Sequence, residues 1–158
     1  MDIVADIRTT LAEDWLPVIY REKVRSQRTR SIGLEIPEKL NAAEINYTLL
    51  GIELQVGKRR FACPDLSTAR YMRVFARIGC RQFAIPYDIT RIPVVADELE
   101  TAWQRTLLVL AEISGNRPSR SLSQFRTNLV KTIRDEIGEI GAGETMPLFD
   151  RETKQRQN

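Results

Sequence analysis

The sequence predicts an α+β fold: a small, mostly antiparallel sheet of four or five strands, packed against an N-terminal helix, a middle helix and two long C-terminal helices. Three observations carry this. Apolar residues recur at helical spacing at both ends of the chain and again across residues 66–78. Between residues 31 and 62 they alternate or form short β-branched runs instead. Those runs are separated by tight-turn signals, which join neighbouring strands antiparallel.

In chain order, Asp2 is an N-cap for a first helix whose stripe is Ile3, Val4, Ile7, Leu11, Trp15 and Val18. Pro17 stops that helix near residues 14–16 or kinks it there. The basic stretch 21–30 has no apolar periodicity after Val24 and reads as a helix extension or a solvated loop. Ser31 to Ile36 alternates as a strand and Pro37 ends it. Residues 45–56 read as one long strand with a bulge at Gly51. Gly57-Lys58 turns the chain and residues 59–62 return. Asp65 caps a helix running to Ile78, with Gly79 at its C′ position. Residues 81–85 form a strand closed by Pro86. The strand–helix–strand step over 59–85 could supply one parallel pair by a right-handed crossover.

A helix opening near Pro93 carries Val95, Leu99, Trp103, Leu107 and Leu110 on one face and ends at Ser114-Gly115-Asn116. Ser121-x-x-Gln124 is a capping box for the last helix, whose stripe is Leu122, Phe125, Leu129, Ile133, Ile137 and Ile140. Residues 1–140 are expected to form a single globular domain and residues 141–158 a flexible polar tail.

Composition limits the chemistry. With 158 residues, 42% of them hydrophobic, the chain can bury one sizeable core without a metal or disulfide. No apolar run approaches membrane-spanning length, and the N-terminus has acids where a secretory signal has bases, so a cytoplasmic protein with no membrane partner is expected. There is no histidine, which removes the commonest general base and the commonest transition-metal ligand. Cys63 and Cys80 alone cannot close a zinc site and read as buried thiols. Cys63-Pro64-Asp65 reads as a strand end and a helix cap, because the adjacent acid opposes a thiolate.

The net charge of +3 is uneven. Residues 58–91 carry 8 bases and 2 acids, whereas the segments on either side are slightly acidic. Arg outnumbers Lys by 19 to 5, and its planar fork suits carboxylates and phosphates. Arg70, Arg73 and Arg77 fall in one narrow sector of the middle helix, opposite Tyr71, Met72, Phe75 and Ile78. Lys58, Arg59, Arg60 and Arg81 lie close by in sequence. Together these seven are the candidate anion-binding residues. The competing reading is a solvated face, or one paired with acids such as Asp97, Glu98 and Glu100. A helix-turn-helix over 67–90 is excluded by Pro86, which would stand inside the recognition helix. Gly57-Lys58-Arg59 lacks the other glycine and the hydroxyl residue of a phosphate-binding loop.

Glu53-Leu54-Gln55 places Glu53 and Gln55 on one face of a strand. The order helix, β-meander, helix, strand resembles the core order of the PD-(D/E)xK nuclease fold. That resemblance, of fold alone, implies a strand carboxylate pair and a Lys holding Mg²⁺ and a water. The chain departs from it at Gln55, which stands where the Lys would be. Because no Asp lies between residues 15 and 64, only Glu35 or Glu44 could partner Glu53.

No catalytic constellation emerges, and no catalytic residue, metal or cofactor is assigned. The expected function is that of a non-catalytic protein-interaction or assembly protein, a homo-oligomer through its C-terminal helices. Leu108 and Val109 lie outside the main stripe of the first of these helices and would call for further cover. The alternatives are a nucleic-acid or other polyanion partner on the arginine face, and a degenerate metal-dependent nuclease.

Overall fold

A computed structural model describes residues 2–144. The carboxylate of Asp2 accepts from the amide of Ala5 and opens α1 (Ile3–Leu11). A 3₁₀ turn over residues 12–14 follows, and the helix resumes as α2 (Leu16–Ile19), continued by a π-helical turn over Tyr20–Val24. The break therefore precedes Pro17. The proline sits in the first turn of α2, where its missing N–H costs nothing. β1 (Thr29–Gly33), β2 (Ala43–Thr48), β3 (Gly51–Val56) and β4 (Arg59–Cys63) lead into α3 (Leu66–Ile78). β5 (Gln82–Pro86), α4 (Ile92–Ser114) and α5 (Ser119–Ile140) complete the order. α5 starts two residues before the expected capping box, with Pro118 at the N-cap and no side-chain cap.

The expected single sheet is two sheets. β2, β3 and β4 form an antiparallel meander, while β1 pairs antiparallel with β5. The strand–helix–strand step thus yields no parallel pair among the described residues. The physical reason lies at the inner edge of β5. The Tyr20 hydroxyl accepts from the Ala84 amide at 2.9 Å, and the Tyr71 hydroxyl donates to the Ala84 carbonyl at 2.5 Å. Two phenols take the place of a further strand, so the edge needs no ladder. Tyr20 also donates to the Gly141 carbonyl at 2.6 Å, tying the end of α5 to the same point.

The long strand expected over 45–56 is a hairpin. Thr48 faces Gly51 across a two-residue turn, Leu49-Leu50. Thr48 supplies the turn chemistry that two leucines lack: its hydroxyl accepts from the Leu50 amide at 3.2 Å and donates to the Gly51 carbonyl at 3.1 Å. Gly51, at φ +126°, takes a conformation that suits glycine.

The buried residues form one continuous core. At its centre Phe75 stacks on Phe83 with ring centroids 4.4 Å apart, flanked by Tyr71 and Tyr20. Trp15 is buried on the α1–α2 side, its indole N–H donating to Glu136 on α5 at 3.0 Å. Leu99, Trp103 and Leu110 of α4 are buried within the chain, and so are Leu129, Ile133 and Ile137 of α5. On the outer side of α4, Leu108 and Val94 emerge. Among the described residues no helix is long and apolar enough to cross a membrane. Of the expected tail, residues 145–158 lie outside the described residues.

Candidate anion-binding surface

The residues of the arginine-rich segment part company in the folded chain. α3 begins where the Asp65 carboxylate accepts from the Thr68 amide at 2.7 Å, and it ends at Gly79 in the left-handed region. This sets the helix phase. Tyr71, Met72, Phe75 and Ile78 go into the core, and Arg70, Arg73 and Arg77 stay half-buried on the other side. α4 runs beside α3 in the same direction and presents its own acids. Glu100 lies between two arginines: its Oε1 accepts from Arg70 Nε at 3.1 Å, and its Oε2 from Arg73 Nη2 at 2.9 Å. Arg70 also pairs with Asp97. The hydrogen bonds to Glu100 and then Asp97 raise the Arg70 pKa above its ordinary value. Of the readings of this stripe, Arg70 and Arg73 take the paired one, with Asp97 and Glu100 and without Glu98.

Arg77 differs from both. Its guanidinium donates to the Ala43 carbonyl at 3.2 Å and has no ion pair among the described residues. Desolvation, and then repulsion from Arg73, lowers its pKa. It lies in the wall of an apolar cleft between α4, α5 and the 40–42 segment.

The other four residues are separate from this face. Arg81 donates from Nε to the Ile36 carbonyl at 2.8 Å, with its Nη1 3.8 Å from Glu38. Arg59 reaches Glu35 at 3.1 Å. Arg59 and Arg81 line one open groove of about 860 Å³ along residues 33–37, where the two sheets meet. Both side chains are 59% exposed, so their ion pairs are weak. Lys58 is exposed on the turn between β3 and β4, and Arg60, exposed in β4, lies 3.7 Å from Glu53.

The carboxylates considered for a metal are dispersed. Glu53 and Gln55 share the outer face of the meander with Glu44 and Asn46, and Asn46 donates to Gln55 at 2.7 Å. Glu53 faces Arg60, and Glu35 faces Arg59. Among the described residues no group of three or more Asp, Glu, Cys or His is placed to hold a metal ion. Both thiols are buried, which pushes Cys63 up and Cys80 up to about 12. At neutral pH both are therefore protonated and poor nucleophiles.

Sequence reading missed the hairpin tip. Leu49 and Leu50 are fully exposed and Tyr47 is 71% exposed. Leu66, at the start of α3, is also exposed and lies at this end of the meander, since Cys63, three residues before it, pairs with Ile52 next to the turn. The available signal was Thr48 standing two residues before Leu50 and three before a glycine, a side-chain turn pattern. Compared with known proteins, the chain matches no family model, no curated protein and no solved structure.

Proposed function

We propose that the chain is a non-catalytic assembly protein that meets its partner, a second copy of itself, through the β2–β3 hairpin tip. One observation carries this. One of the two two-residue turns of the meander holds two leucines with no cover, where local chemistry favours Asn, Asp or Gly. A turn that breaks the local rule while its flanking Thr48 restores the geometry is a place where side chains serve something beyond folding. Tyr47 and Leu66 widen the apolar surface. The C-terminal helices offer a second copy less, since Leu99, Trp103 and Leu110 are already covered and Leu108 and Val94 are the large apolar residues left exposed on α4. Light scattering at tens of micromolar should show a dimer for the wild type. The double change Leu49→Asp and Leu50→Asp should give a monomer with stability altered by no more than about 0.5 kcal/mol. A monomeric wild type defeats the proposal. A dimer indifferent to the double change moves the interface elsewhere, with Leu108 the next residue to alter.

A second reading, a polyanion partner, is favoured by the groove that Arg59 and Arg81 share. Retention of the wild type on a phosphate-bearing resin should fall steeply with salt. Changing Arg59 and Arg81 together to Gln should flatten the slope of log affinity against log salt. On duplex DNA the slope should change by about 0.9 for each phosphate that is no longer neutralised. An unchanged slope rejects the groove as the site.

A further inference from the structure

The cleft beside Arg77 has a chemistry unlike the rest of the surface. It encloses about 640 Å³, within the usual range for a small-molecule site. Leu40, Trp103, Leu107, Leu110 and Leu122 make its walls apolar, and its charged residues are Arg77 and Arg126. No carboxylate lines it, whereas four other depressions on the surface each include at least one Glu or Asp. Two further facts single out the polar part of the cleft. Arg77 is a half-buried cation with no direct ion pair among the described residues: Glu100 and Glu44 act on it only from a distance, and desolvation with Arg73 outweighs them. Ser114, also in the wall, is 2% exposed and its hydroxyl has no protein partner. An inorganic anion would meet the guanidinium groups but leave Leu40, Leu107 and Leu122 wet. A neutral apolar molecule would cover the leucines and leave Arg77 without a direct ion-pair partner.

We infer that this cleft binds a small molecule with an apolar body and one carboxylate, a fatty-acid-like anion whose head meets Arg77 and Arg126. A carboxylate offers the planar pair of acceptors that a guanidinium takes bidentately. The inference is independent of the hairpin tip, since neither Leu49 nor Leu50 lines the cleft.

The test titrates the intact protein with decanoate below its micelle concentration, by calorimetry and, in a Trp15→Phe background that leaves Trp103 as the one tryptophan, by fluorescence. Decanoate should saturate one site per chain. Decanol, the same chain without the charge, should bind about tenfold more weakly or worse, as expected when a charged hydrogen bond is lost. Arg77→Gln should weaken decanoate by about the same factor and leave decanol unchanged. Should Arg77→Gln fail to fold, because its bond to the Ala43 carbonyl is lost, Arg126→Gln on an exposed side chain gives the same comparison. Absence of saturable decanoate binding up to millimolar concentration overturns the inference, and so does equal binding of decanoate and decanol. If an acidic amphipathic peptide perturbs Trp103 and decanoate does not, the cleft belongs to a protein partner and the inference fails.

Discussion

Replacing Gly79 by alanine is expected to cost more than about 4 kcal/mol, a large fraction of the total stability of a domain of this kind. Gly79 ends α3 at φ +88°, with its amide donating to the Phe75 and Ala76 carbonyls. The left-handed conformation alone costs an alanine about 1 kcal/mol. The larger cost is steric. A Cβ here would stand 2.5 Å from the Lys39 amide nitrogen and closer still to the Lys39 carbonyl oxygen, which are backbone atoms and cannot rotate aside. Moving residues 37–41 away would in turn free the carbonyls that end α3. The Asn41 amide and side chain donate to the Arg77 and Ala76 carbonyls at 3.0 and 3.1 Å. Gly57→Ala is the matched control: φ is +61° there, and a Cβ would meet nothing within 4 Å. It should lose about 1 kcal/mol, or roughly 3 °C of melting temperature for a chain of this size. Equal losses for the two variants would show that the 37–41 segment gives way easily and that the clash is absent in solution.

The same helix shows what was legible in the sequence. The limits of α3 follow from local chemistry, an aspartate able to cap and a glycine able to turn left-handed, so Asp65 and Gly79 could be placed without tertiary information. Its buried face follows from spacing alone. The division into two sheets was not legible, because it depends on Tyr20 and Tyr71 meeting one residue, Ala84, from positions 64 and 13 residues away. Nothing in the local sequence of β5 reveals that its inner edge is already satisfied. The hairpin between β2 and β3 was missed for the opposite reason. Leu49-Leu50 has strand-like composition, and the hydroxyl that makes the turn sits just outside it. The arginine face was half legible. Spacing aligned Arg70, Arg73 and Arg77, but counting charge over 58–91 could not bring in acids that α4 supplies 27 to 30 residues further along.

That non-local pairing gives the second large expected effect. Glu100→Gln keeps the shape of the side chain and removes its charge. Arg70 retains Asp97, but Arg73 is left without a carboxylate, and its Nε is already buried with no partner. All three side chains are less than a third exposed: 18% for Glu100, 27% for Arg70 and 25% for Arg73. Solvent therefore screens the network only in part, and stranding one member costs more than a surface pair would. We expect a loss of about 2–3 kcal/mol in urea denaturation, most of it persisting in high salt. Combining Glu100→Gln with Arg73→Gln should lose less than the sum of the two single changes, because the second change removes the cation that the first strands. Changing Arg70, Arg73 and Arg77 together to Gln should also destabilise, which a freely solvated ridge would not do. The contrary result is equally informative. If Glu100→Gln leaves stability unchanged and increases retention on a phosphate-bearing resin, then Glu100 only masks the two arginines. α3 would then be the polyanion face, and the groove at Arg59 and Arg81 would be secondary to it.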